Sequence, residues 1–439
     1  GGAVLAHPTD ATEALNRSYE LLSPNVETRS NTIKWFKARG QKDALPVLIE
    51  LYRFVEGQRE EILDAITALA GEKIGADWHE MMLWQEAHPE VKPLPGYASF
   101  KAVMMINIDP SFMMFIHPSV KHEIRLEEIA WGGVVKDGIP SLDNPKLIEA
   151  AEAQYMNAGD LVFGVVINGD ARAYPLRILD WHEMFNDVIG GVPVSLAYCT
   201  LCGSGILYEG QVEGRAKPFT FGSSGFLYRS NKLMYDHETK SLWNQFTGRP
   251  VVGALTGSGI TLKTRPVVIT SWEEWKKREP KTKVLSLDTG FKRDYAPGAA
   301  YARYFESDKL MFPTRVDEKA LKAKAYVFAL RGQGREKAWP LAYFEKAPII
   351  NDSIGETKIV LIGDVKTRTV RAYKTSGQTF VAGEAADKLK AGADVWSITE
   401  DALVGPKGEK LERLPGHIAY WFAWSGYFGD KGEIAKPPG

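Results

Sequence analysis

Beyond its first third, the chain carries the same order of residues twice at a constant offset of 165. Val162-Phe163 stands against Val327-Phe328, Tyr174-Pro175 against Trp339-Pro340, Asn186-Asp187 against Asn351-Asp352, and Ile189-Gly190 against Ile354-Gly355. Each set reads as a strand, a polar turn containing glycine, an aromatic-proline step and an Asn-Asp turn. A run matched without gaps constrains the fold strongly: it predicts two superposable β-rich halves, Leu161 to Trp275 and Tyr326 to Trp424. Further along the offset drifts, with Ser241-Leu242-Trp243 facing Asp394-Val395-Trp396, and Trp272 with Trp275 facing Trp421 with Trp424.

Ahead of these halves the texture is helical. Leu15, Tyr19 and Leu22 share a face, and a segment opened by Pro24 ends at Gly40. Further helices are expected over Asp43 to Phe54, Arg59 to Ala70 with Gly71 as C-terminal cap, and Ala76 to Ala87. The two glycine stops lie 31 residues apart, and helix pairs at that period resemble a short HEAT-like array, a plain helical bundle being the alternative. His88-Pro89 and Lys92-Pro93-Leu94-Pro95-Gly96 then break helix and form the best linker in the chain. The expected fold is therefore α+β and multi-domain, in keeping with 439 residues. It comprises an all-α HEAT-like segment over 1–95 and a first copy of a β-rich module over 96–310. A second, degenerate copy lacking Cys and His follows over 311–439.

A formal net charge of −1 leaves no basic surplus to hold nucleic acid. The most apolar window, Phe100 to Ile116, is interrupted by Lys101, Asn107, Asp109 and Pro110, so no transmembrane segment is expected. Met113 and Met114, two of the methionines within it, are expected in the core. Gly1 to His7 lacks the regions of a signal peptide and reads as a processed end, which is compatible with a signal already removed.

The chemistry is expected around the only two cysteines, in Tyr198-Cys199-Thr200-Leu201-Cys202-Gly203. This Cys-x-x-Cys closes an apolar strand, and the glycines after it let backbone amides approach sulfur and lower its pKa. Upstream stand His182, Glu183 and Asp187; downstream stand Ser224, Asp236, Trp243 and Gln245. The second half has Ala347, Asp364 and Thr367 at the positions of His182, Cys199 and Cys202, so only the first carries reactive groups. Four readings are open. Cys199, Cys202 and His182 could hold copper or zinc, with Glu183 or Asp187 orienting the imidazole. The cysteines could form a structural or redox disulfide, which closes only a short loop and gains little chain entropy. Cys199 or Cys202 could be a nucleophile with His182 as base, or both could be packed thiols. Trp243 and Gln245 fit a pocket wall or a core edge. His237 reads as an exposed turn residue, His79 and His88 as surface residues, and His117 with His122 as a candidate soft-metal patch.

The chain also resembles the prokaryotic family of unknown function DUF3179. The resemblance rests on Gly133 with Lys136-Asp137-Gly138-Ile139-Pro140, Arg172-Ala173-Tyr174-Pro175, His182-Glu183 with Asn186-Asp187, and Tyr198-Cys199 with Leu201-Cys202-Gly203. It continues through Phe221-Gly222-Ser223-Ser224-Gly225, Tyr235-Asp236 with Thr239, Ser241-Leu242-Trp243 and Gln245. Thr200 replaces the family's usual proline and Asn244 its usual serine. The resemblance implies export to the periplasm or cell surface, as in many relatives, with a cytoplasmic location as the alternative; it brings no activity. Two function classes follow. One is an exported copper- or zinc-binding protein, a metal-dependent oxidoreductase in its catalytic form, with Cys199, Cys202 and His182 as ligands. The other is a non-catalytic binding or scaffold module, stapled by a disulfide, whose partner is an unknown small molecule or protein.

Overall fold

The computed structural model describes residues 8–301, 304 and 319–439, so Gly1 to His7 and the expected boundary at 310/311 lie outside the described residues. The helical part comprises α1 (Pro8–Glu20), α2 (Val26–Arg39), α3 (Leu45–Phe54), α4 (Arg59–Ala70), α5 (Trp78–Ala87) and α6 (Tyr97–Ile106). Local chemistry sets their ends. The Asn25 side chain accepts from the Thr28 N–H at 3.0 Å at the start of α2, and Asp77 accepts from His79 N–H at 3.0 Å at the start of α5. Gly40 and Gly71, at φ +73° and +76°, close α2 and α4 in the left-handed region that glycine adopts without strain. Helices α2 and α3 pack on α4, and α3 also packs on α5. Among the described residues no strand precedes Ile129, and no helix is long and apolar enough to cross a membrane.

Helix α6 corrects the expected edge of this part at residue 95. It follows the proline-rich linker directly and returns to the helical layer, where Phe100, Met104 and Met105 are buried. Lys101, 0% exposed, places its Nζ 2.6 Å from Glu50 Oε1 on α3 and 2.5 Å from the Ile129 carbonyl of the first strand, Ile129–Trp131. The helical and β-rich parts therefore share a core. Met113 and Met114 are a second correction, being 47% and 37% exposed. They lie in the 3-10 helix Pro110–Met114, whose threefold period sends Phe112 and Phe115 inward instead, against Phe226 at 4.5 Å and Tyr235 at 5.2 Å between ring centroids.

In the β-rich part, strand registers coincide at the offset seen in the sequence. Leu161–Ile167 pairs with Asp170–Pro175 so that Val162 faces Pro175, and Tyr326–Gly332 pairs with Arg335–Pro340 so that Val327 faces Pro340. Met184 faces Ala197 between Met184–Ile189 and Val192–Cys199, and Ile349 faces Ile362 between Ile349–Ile354 and Thr357–Asp364. Cys199 faces Ser204 across one turn, and Asp364 faces Thr369 across the other. Val268–Ser271 joins the first hairpin antiparallel and runs into helix Trp272–Arg278; His417–Tyr420 joins its counterpart and runs into helix Trp421–Phe428. Parallel strands complete both sheets, Lys283 facing Arg172 and Glu433 facing Lys337.

The Asn-Asp pairs lie inside strands, not in the turns expected of them. Their polarity has a structural use. Asn186 donates to the Phe221 carbonyl at 2.8 Å and accepts from its N–H at 2.9 Å; Asn351 makes the same two bonds to Phe380, at 2.9 and 2.8 Å. Asp187 accepts from the Tyr174 hydroxyl at 2.9 Å, as Asp352 accepts from the Trp339 indole at 2.9 Å. The second half also contains a histidine, contrary to expectation: His417 lies in a strand, and burial lowers its pKa to about 4.

Lys101→Ala would leave the Glu50 carboxylate buried without its cation. Urea unfolding is expected to show a loss of about 3–5 kcal/mol, partly recovered by adding Glu50→Gln, because the cost comes from the charge left behind.

Candidate functional site

Cys199 ends the strand Val192–Cys199, and Ser204 opens the next, so Thr200, Leu201, Cys202 and Gly203 form the tip of a hairpin. Cys199 and Cys202 are joined in a disulfide with a Cα–Cα distance of 5.2 Å. Hairpin tips belong on surfaces, where water satisfies their backbone. This one is interior: Cys199 is 3% exposed and Cys202 0%. Its polar groups consequently find protein partners. Thr200 Oγ1 donates to Glu183 Oε1 at 2.7 Å, the Tyr304 hydroxyl donates to the Leu201 carbonyl, and Tyr420 N–H donates to the Cys202 carbonyl at 2.8 Å. Gly203, at φ +65°, is needed twice over, since a Cβ there would stand 2.9 Å from Tyr420 Cδ2. Gln245 clasps both strands just behind the tip, donating to the carbonyls of Ala197 at 2.9 Å and Ser204 at 3.1 Å.

Beneath the tip lies a buried ion pair. Glu183 closes helix α7 (Leu176–His182) at φ +57°, a left-handed conformation that costs a non-glycine residue energy. Its carboxylate meets Thr200 and, at 3.4 Å, the Tyr301 hydroxyl. Lys232 Nζ stands 3.7 Å from Glu183 Oε2, and burial lowers its pKa. Ser230, two residues before Lys232 and also left-handed at φ +65°, aims its carbonyl at Cys202 Sγ from 3.0 Å. Non-glycine residues held at positive φ on Glu183, Ser230 and Tyr301 surround one buried tip, the kind of concentrated strain found at working sites.

His182 turns elsewhere. Its Nδ1 is 2.9 Å from the Pro140 carbonyl, which only accepts, so Nδ1 carries the proton; Nε2 accepts from the Tyr295 hydroxyl at 2.5 Å. The phenol in turn is 2.7 Å from Thr289 Oγ1. With both ring nitrogens engaged and the sulfurs bonded to each other, Cys199, Cys202 and His182 do not form the expected ligand set. Among the described residues no three His, Cys, Asp or Glu side chains stand together to hold a metal ion.

The other expected residues hold the framework. Asp187 is fixed by Tyr174, by Arg172 Nη1 at 3.0 Å and by the Val188 N–H at 2.9 Å. Ser224 bridges the bulge between strands Phe221–Tyr228 and Asn231–Asp236, donating to the Leu233 carbonyl at 2.5 Å and accepting from Phe226 N–H at 3.0 Å. Asp236 accepts from Thr239 in a tight turn and from the Trp243 indole at 2.8 Å. His237 contacts Thr220 Oγ1 at 2.8 Å, His88 stacks on Trp84 at 4.0 Å, and His122 Nδ1 meets the Ile124 carbonyl at 2.6 Å. Lys232, Tyr301 and Ser230 escaped the sequence reading. A lysine inside Asn231-Lys232-Leu233-Met234-Tyr235 was a signal, but its carboxylate lies 49 residues away.

The family model described as "Protein of unknown function (DUF3179)" matches residues 136–431, more than half of the chain. No curated protein matches the chain. No solved structure matches it either.

Burial holds the His182 imidazole below its ordinary value of 6.5. The unfolded chain then binds this proton more tightly, so the contribution to stability is full above about pH 6.5 and is lost as pH falls through the folded value. His417 acts with the same sign. In melts from pH 8 to pH 5, His182→Asn, which keeps a donor for Pro140, is expected to lose stability less steeply than the parent.

Proposed function

Since the chain belongs to the DUF3179 family, whose members are described as proteins of unknown function, we propose a function from the site itself: Cys199 and Cys202 act as a buried dithiol–disulfide couple exchanging electron pairs with a partner thiol or disulfide. One observation carries this reading. The second half builds the matching turn with no cysteine. Asp364 faces Thr369 as Cys199 faces Ser204, Asp364 Oδ1 accepts from Lys366 N–H at 3.0 Å, and Thr367 Oγ1 lies 2.8 Å from Thr369 Oγ1. This turn therefore does not require a disulfide. A loop of three residues' separation also gains only about 2 kcal/mol of chain entropy from closure.

The exchange balances within one pair of thiols. A partner thiolate attacks Cys199, the less completely buried of the two residues at 3% exposure against 0%, and forms a mixed disulfide while Cys202 leaves as thiolate. A second partner thiolate displaces Cys199, so the partner leaves oxidised by two electrons and the two cysteine thiolates take up two protons. In the dithiol form, the Ser230 carbonyl at 3.0 Å is an acceptor for the Cys202 thiol. A couple of this kind suits export to an oxidising compartment, where its disulfide persists.

We further infer that the β-rich halves arose by duplication, supported by the common registers and the paired Asn186 and Asn351 clamps, with the first copy keeping the chemistry. Packing of α2 and α3 on α4, and of α3 on α5, supports the reading of the helical part as a HEAT-like array.

Titration in glutathione buffers with alkylation and mass measurement tests the couple. Both thiols are expected to appear together, reversibly, in protein that stays folded, and a Cys199→Ser, Cys202→Ser double variant is expected to lose no more than about 2 kcal/mol of stability. Thiols that appear only on unfolding would instead mark a structural staple. One zinc ion per chain bound tightly by the reduced protein would favour the metal reading.

A further inference from the structure

A second polar site lies at the seam of the two halves. A cleft of about 260 Å³ is lined by Asp160, Arg177, Asp180 and Tyr198 from the first half and by Tyr326 and Arg368 from the second. Tyr198 precedes Cys199 on its strand, so alternation turns its side chain to the opposite face from the sulfur. The cleft is thus separate from the disulfide, and its chemistry is independent of any redox role for the cysteines.

The walls differ in how far their charges are met. Arg177 is held by bonds from Nε to the Tyr295 carbonyl at 2.7 Å and from Nη1 to the Tyr155 carbonyl at 2.8 Å and Asp160 Oδ2 at 2.8 Å, which also neutralises Asp160. The Asp180 carboxyl, buried, takes the Tyr198 hydroxyl on Oδ1 at 2.9 Å. Arg368 is different. Its guanidinium lies over the Tyr326 ring, 4.2 Å from the centroid, and among the described residues no carboxylate pairs with it.

The backbone makes that arginine more telling. Arg368 stands at φ +59°, in the position of the turn that Gly203 fills at φ +65° in the first half. A glycine would adopt this conformation without strain, yet a long cationic side chain is carried there and aimed into a cleft. Contact with the Tyr326 ring helps hold the guanidinium, whose planar fork suits a carboxylate received through two N–H groups. Asp180, which lines the same cleft and whose carboxyl is pushed up to about 7 by burial, offers an acceptor for a hydrogen-bond donor.

We propose that this cleft binds a small carboxylate bearing an adjacent hydroxyl or amino group, the carboxylate pairing with Arg368 and the donor with Asp180. The residues are supplied by both halves, so the site exists only in the joined pair.

Calorimetric titration of the full chain with glycolate, glycine, acetate and glycolamide tests the assignment. Glycolate or glycine is expected to bind, acetate about tenfold more weakly because Asp180 then lacks its donor, and glycolamide not measurably. Arg368→Gly is the decisive variant: the matching turn already accommodates glycine, so it is expected to melt at or above the parent temperature while losing binding by tenfold or more. Glycolamide binding as well as glycolate, an Arg368→Gly protein that keeps its affinity, or no binding of either glycolate or glycine at millimolar concentration would each overturn the proposal.

Discussion

A hairpin tip with its back to solvent must have every polar group met by protein, and this constraint organises the β-rich part. Each group left unmet would cost about 1–3 kcal/mol. The partners come from distant places: Glu183 at the end of α7, Gln245 beyond strand Leu242–Asn244, Tyr304, and Tyr420 in the second half. The tip at Cys199 to Gly203 is therefore a junction, and its geometry depends on the second half being in place. The reverse contact also exists, since Thr369 Oγ1 at the second half's turn donates to the Ile269 carbonyl of the first at 2.6 Å. Each half finishes a turn belonging to the other.

The half without cysteines contributes structurally to the other. It supplies Tyr420 over the Cys202 carbonyl and Tyr326 with Arg368 at the seam, none of which the first half can provide for itself. The disulfide lies in one half, and part of what surrounds it comes from the other.

Much of this was legible in the sequence, and the remainder failed for definable reasons. The offset of 165 located the hairpins because strand pairing preserves spacing, so Val162 and Val327 report the same register position. Glycine stops located α2 and α4 because the left-handed cap is a local requirement. Asn186 and Asp187 misled because polar residues inside a strand look like a turn until the Phe221 backbone they clasp is known. His182 and Glu183 are neighbours at a helix end, yet one turns to Pro140 and the other to Thr200; sequence spacing carries no information on that divergence. α6 was hidden because prolines before it resembled a boundary, while the charge that binds it inward, Lys101, looked like an interruption of an apolar run.

Hairpin Phe221–Asp236 joins two distant parts of the molecule. Phe226 and Tyr235 on it pack against Phe112 and Phe115, which follow α6, while Ser230 and Lys232 on it reach the disulfide and Glu183. The hairpin is thus a shared wall: Phe226, Leu233 and Tyr235 close the core of the helical layer, while Ser230 and Lys232 of the same two strands close the surroundings of the disulfide.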